Sequence, residues 1–178
     1  MVLAGLLSVA LWLGACQRQG PNAPLTLNDF EGPEDLDQIA WRCRTTFRLS
    51  KEYRSHGQSG LEMTLYPDDY PGLRLLLSPQ MRQWQGYGSL ALDVFNPQGR
   101  ELALHYRIDD SANPDYEDRA NGSFRLQPGA NHLRLDLGEI RTSGSKRPLH
   151  LNRIWALMFF QTSPTEPTVL GVDYIRLE

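Results

Sequence analysis

From Ile39 to its final residues the chain alternates apolar and polar positions with a period of two. Ile39, Trp41, Cys43, Thr45, Phe47 and Leu49 fall on one side, and Arg42, Arg44, Thr46 and Arg48 on the other. That alternation predicts a single half-buried antiparallel strand over residues 39–49. The same period recurs at Leu61/Met63/Leu65, Leu73/Leu75/Leu77, Leu90/Leu92/Val94, Leu102/Leu104/Tyr106/Ile108, Phe124/Leu126 and Leu133/Leu135/Leu137. Turn residues divide these segments, as in Pro67-Asp68-Asp69, Asn96-Pro97-Gln98-Gly99 and Pro128-Gly129-Ala130-Asn131. Ile154 to Phe160 is apolar at nearly every position and predicts a central strand covered on both faces, followed by a last strand over Val169–Leu177. No window carries a capped helical stripe. Short strands separated by Gly/Pro turns predict an all-β fold, a single antiparallel β-sandwich.

The amino-terminal end departs from this pattern. Residues 1–15 are apolar without a charged side chain and give way abruptly to Cys16-Gln17-Arg18-Gln19. The run is shorter than the ~20 residues that cross a bilayer, and it reads as the apolar region of a secretory signal peptide. Its basic flank is lacking, which leads us to expect a true start upstream of Met1. Leu13-Gly14-Ala15-Cys16 resembles a bacterial lipoprotein signal, in which the cysteine is acylated and becomes the new amino terminus. Several acyl chains on Cys16 anchor stably, at about 0.8 kcal/mol per buried CH₂. Gly20, Pro21 and Pro24 lie in an aperiodic stretch that reads as a tether. The expected organisation is a signal peptide (1–15), a lipidated tether (16–25) and a sandwich domain (26–178). Gln17 after the cysteine resembles outer-membrane sorting, if the host is Gram-negative.

Composition narrows the function classes. The net charge is −3 with both signs spread along the chain, which argues against a nucleic-acid partner. Cys43 is the sole cysteine after Cys16, so no internal disulfide forms in the mature chain, and Cys43 reads as a small core residue. His56, His105, His132 and His150 are scattered and make no zinc motif. His56-Gly57-Gln58-Ser59-Gly60 half resembles a nucleophile elbow but lacks the strand-to-helix turn. The expectation is a non-catalytic protein.

Two segments are candidates for binding. The loop from Asp109 to Arg119 holds five carboxylates, which either bind a hard cation through oxygen or form a solvated loop in which Arg119 pairs with a neighbour. Arg119 also has the planar fork that clamps an anionic sugar. Trp84 and Tyr87 precede a strand; they either stack on sugar rings or plug the end of the sandwich, whereas Trp41 and Trp155 read as core.

The order of several short motifs carries a resemblance. These are Asn28-Asp29-Phe30-Glu31-Gly32, Gly57-Gln58-Ser59-Gly60-Leu61, Trp84-x-x-Tyr87, Tyr116-Glu117-Asp118-Arg119, Pro128-Gly129-x-Asn131 and Val172-Asp173-Tyr174-Ile175. Together they resemble the galactose-binding-like jelly-roll superfamily, which includes many carbohydrate-binding modules. They are also similar to the extracytoplasmic domain of some VanZ-like membrane proteins. The resemblance implies a structural calcium where the first and last strands meet, with Glu31, Asp173 and Asp29 as ligands and carbonyls of residues 56–59 completing the shell. The alternative is that Asp173 caps a turn and Glu31 is solvated. Superfamily members bind glycans, bind proteins or brace neighbouring domains. The expected role is therefore a glycan-binding lipoprotein of the cell envelope, or else a scaffold that docks an envelope protein. The expected ligand positions are Trp84, Tyr87, Asp110, Tyr116 and Arg119.

Overall fold

The computed structural model describes residues 23–41 and 43–178, without the side chain of Trp41. Residues 1–15, read as a signal peptide, and Cys16 lie outside the described residues. Eleven strands form the domain: β1 (Leu25–Asn28), β2 (Ile39–Trp41), β3 (Thr45–Ser50), β4 (Gly60–Leu65), β5 (Gly72–Leu76), β6 (Ser89–Asn96), β7 (Leu102–Asp109), β8 (Ala120–Leu126), β9 (Gly129–Asp136), β10 (Ala156–Phe160) and β11 (Thr168–Leu177). Sheet A runs β3-β4-β11-β6-β9, with β1 added beside β11; sheet B runs β2-β5-β10-β7-β8. Every pairing is antiparallel. This is the expected all-β sandwich.

The period of two explains the core. Leu61, Met63 and Leu65 of β4, Leu90, Leu92 and Val94 of β6, and Leu170 and Val172 of β11 are buried beneath sheet A. Leu73 and Leu75 of β5, Leu104 and Ile108 of β7, and Leu157 and Phe159 of β10 face them from sheet B. Each such side chain contributes about 1.5–3 kcal/mol by leaving water.

The expected strand over residues 39–49 is divided. Its first part is β2 in sheet B and its second is β3 in sheet A. The crossing falls at Cys43-Arg44, where Arg44 takes a left-handed φ of 38°. The carbonyls of Cys43 and Arg44 accept amides of Gly72 and Tyr66 on either side. Ile39 of β2 and Thr45 of β3 are both buried, but the alternation is not unbroken: a bulge between Ile39 and Trp41 sets Trp41 opposite Arg74 of β5. Cys43 sits at this corner half-buried rather than in the core, and burial with a nearby Asp68 pushes its thiol pKa up. Trp155 is likewise only half-buried, with the Arg82 guanidinium 3.6 Å above its ring. β1 begins at Leu25, inside the stretch read as tether.

β11 is long enough to serve two partners on one flank. Thr168–Val172 pair with β4, and Ile175–Leu177 pair with β1. A bulge at residues 173–175 separates the two registers, with Tyr174 at a φ of 46°.

Candidate functional site

The bulge in β11 is where the sequence places Glu31, Asp29 and Asp173. Asp173 is buried, and its Oδ2 accepts the amides of Ser55 (2.6 Å) and His56 (2.9 Å), while Oδ1 accepts the amide of Tyr174 (2.7 Å). Glu31 accepts the amides of Gln58 (2.9 Å) and Ser59 (3.2 Å). Gly57 between them has a φ of 57°, and a side chain there would collide with the Glu31 carboxylate. The two carboxylates thus grip one loop from two sides, beside the place where β1 pairs with β11. Their neighbours are amide hydrogens, however, whereas a calcium shell is built of oxygen ligands from carboxylates, carbonyls and waters. Asp29 lies 3.6 Å from His56 Nδ1. Among the described residues no group of three or more His, Cys, Asp or Glu side chains is placed to hold a metal ion. The donor set as arranged does not fit calcium. The same bonds set the titration behaviour: the Gln58 and Ser59 amides hold the Glu31 carboxyl below its ordinary value. Burial pushes Asp173 up, against the pull of its three amides.

The acidic loop divides: Asp115, Tyr116 and Glu117 are solvated, while its first two carboxylates are not, and among the described residues no group of three or more potential metal ligands forms there. Asp109 and Asp110 are both buried. Arg147 forks onto Asp110 (2.5 and 3.0 Å) and reaches Asp118 through Nε (3.0 Å), while the His150 amide also donates to Asp110 (2.9 Å). Burial alone would raise the Asp110 carboxyl, but Arg147 and the His150 amide outweigh it and hold it below its ordinary value. Asp110 is therefore a strut and not a ligand position, because every part of its carboxylate is turned inward. Arg119 pairs with no carboxylate among the described residues; its Nε donates to the Pro114 carbonyl (3.1 Å).

Trp84 is corrected in the same way. It is 0% exposed, and its Nε1 donates to the Met81 carbonyl at 2.9 Å. A ring with both faces in the core has none for a sugar, so Trp84 is the plug. Tyr87 is half-buried against the same core. Tyr116, by contrast, is 67% exposed.

Tyr116 and Arg119 meet on the outer face of sheet B, where they line a cleft of about 470 Å³. Strand register builds its floor. Arg74 of β5 lies opposite Met158 of β10, Met158 opposite Arg107 of β7, and Arg107 opposite Asn121 of β8. One row across four strands therefore reads Arg-Met-Arg-Asn, with the arginine backbones two strand spacings apart, about 10 Å. Phe160 stands beside this row, and Tyr70 meets it edge-on at 5.9 Å between ring centres. Tyr70 is 54% exposed. The cleft thus has an exposed tyrosine from each of two loops, those joining β4 to β5 and β7 to β8. Asp109 (0% exposed) holds the floor arginines: Arg107 binds it at 2.6 and 2.8 Å, and Arg74 Nη2 lies 3.4 Å away.

The sequence reading missed Tyr70, Arg74, Arg107, Asn121, Met158 and Phe160. One signal for them was present. The apolar character of both faces of Ile154–Phe160 was read as cover on both sides, but Met158 and Phe160 form the floor of an open cleft. On the outer face of sheet A, Tyr53 stacks on Phe95 at 5.2 Å and Ser55 bridges Asp93 and Asp173.

The fold is that of jelly-roll carbohydrate-binding modules. Among solved structures the chain is similar to a family 11 carbohydrate-binding module from Clostridium thermocellum in complex with a β-1,3-1,4-mixed-linked tetrasaccharide. The TM-score is 0.67 at 15% identity, covering 86% of this chain and 94% of that one. It is also similar to a xylan-binding domain of family 22, with a TM-score of 0.54 at 13% identity over 84% of this chain and 90% of that one. An exo-β-agarase matches with a TM-score of 0.66 at 14% identity, but the match covers 24% of that chain. No protein-family model and no curated protein matches the sequence.

Proposed function

We propose that this chain is a non-catalytic carbohydrate-binding domain that holds a polysaccharide in the cleft on sheet B. The observation that carries this reading is the pair of exposed tyrosines, Tyr70 and Tyr116, set around a polar and apolar floor. Aromatic faces beside a few fixed polar groups are what a sugar-binding surface requires. The family 11 module, solved in complex with a tetrasaccharide, supports the reading as a relative in fold. Glycosidic cleavage needs two carboxyl groups across the bond, and none of the residues lining the cleft carries one. Acylation at Cys16 would place the domain at the bacterial cell envelope, in the outer membrane of a Gram-negative host, on a short tether. A glycan array probed with the full chain, and with Tyr70→Ala and Tyr116→Ala, tests the binding. Signal lost in both variants, with unchanged melting, is expected; equal signal in all three defeats the reading.

A further inference from the structure

We infer that the polysaccharide held by this cleft is anionic, bearing carboxylate or sulfate groups; the inference rests on the glycan reading above. Three guanidinium groups line the cleft, those of Arg74, Arg107 and Arg119, and no carboxylate lines it. Asp109 beneath the floor is the one carboxylate bound to them; Asp68 and Asp69 beside Tyr70 and Asp115 and Glu117 beside Tyr116 lie on the neighbouring loops but do not line the cleft.

The three arginines are not equally committed. Arg107 spends Nε and Nη2 on Asp109. Arg74 gives Nη2 to the Ala112 carbonyl and to the long contact with Asp109, and its buried Nε has no partner. Arg119 gives only Nε, and to a neutral carbonyl, so among the described residues neither of its terminal nitrogens has a protein acceptor. A guanidinium presents five donors in a fixed fork that matches a carboxylate or sulfate at two points. A neutral sugar hydroxyl uses one such donor and leaves the charge uncompensated. Arg74 and Arg107 are also partly withdrawn from water, with 23% and 18% of their side chains exposed, so an ion bound to them is screened less than one on an open surface.

The experiment is titration calorimetry of the full chain against three sets of polymers. Neutral ones are mixed-linked β-glucan, xylan and agarose. Anionic ones are polygalacturonate and alginate for carboxylate, and carrageenan for sulfate. Polyglutamate is an anionic polymer without sugars. The expected result is affinity for at least one anionic polysaccharide about tenfold or more above the neutral ones, as a charge-assisted hydrogen bond contributes. That preference falls with added salt and is lost in Arg119→Gln and Arg74→Gln. Tyr116→Ala, an exposed position that the fold does not depend on, weakens carboxylate and sulfate polymers alike. Which of the two binds more tightly identifies the anion. Tighter binding of neutral polymers overturns the anionic inference and leaves the glycan reading standing. Binding of no polysaccharide overturns both. Polyglutamate bound as well as the polysaccharides reduces the cleft to a basic patch and overturns the inference.

Discussion

Arg107 and Asp109 stand two residues apart on β7 and bind each other at two points, 2.6 and 2.8 Å. Residues i and i+2 of a strand share a face, so the pair lies wholly on the outer side of sheet B. The carboxylate is buried while the guanidinium borders the cleft. Asp109 fixes the direction in which Arg107 points. Asp109→Asn keeps the shape but removes the charge, leaving Arg107 and Arg74 without a counter-ion, at a cost of about 3 kcal/mol. Urea unfolding measures that loss. Arg107→Lys cannot reproduce the fork and should lower ligand affinity more than stability.

Asp110 and Arg147 predict a pH dependence. The Asp110 carboxyl is held below its ordinary value of 3.8. A depressed acid contributes stability that is complete above the unfolded value and is lost as pH falls through the folded one. Denaturant titrations carried from neutral pH down through the carboxylate range should show a fall that Asp110→Asn does not show. The variant should already be weaker at neutral pH, because Arg147 then faces a buried amide. A wild-type curve parallel to the variant's would remove Asp110 as the cause.

Trp84 and Tyr116 should behave oppositely. Trp84→Ala empties a buried site and costs about 3–5 kcal/mol of stability. Tyr116→Ala changes an exposed side chain, so it should fall within about 0.5 kcal/mol of wild type in unfolding yet lose glycan affinity. Comparing melting curves with glycan titrations for both variants separates the plug from the platform.

These two residues also show what the sequence could and could not reveal. Periodicity exposes what faces the core, because burial demands it at every second position, so the strands and the sandwich were legible. A binding face is made of the other positions, where water accepts almost any residue. Arg74, Arg107 and Asn121 come from three different strands, and only register aligns them. Tyr116 and Arg119 stood out because one loop holds both. Residues 39–49 misled because alternation in sequence reports neither a bulge nor which sheet a strand joins.

Calcium provides a fourth test. Amide donors already occupy Asp173 and Glu31, so the melting temperature should be the same with calcium and with chelator. Asp173→Ala should lower it in both, since three amides of the loop and bulge lose their acceptor. A wild-type rise of several degrees with calcium, absent in Asp173→Ala, would mean that the ion displaces those amides.

Acylation is tested at Cys16. Wild type should enter the detergent phase on partitioning and Cys16→Ser should stay in the aqueous phase, with the same melting temperature. Equal partitioning would defeat the lipid anchor.

The central strands of both sheets are the last two made. Without β10, sheet B is reduced to the separate ribbons β2-β5 and β7-β8; without β11, sheet A falls into β1, β3-β4 and β6-β9. Two-stranded ribbons are marginal in water. A chain emerging from the ribosome therefore holds only loose pieces until residues 156–177 appear, and then both sheets can close together. The domain thus has no stable half-folded form among its described strands: β10 and β11 close both sheets, and neither sheet is complete before them.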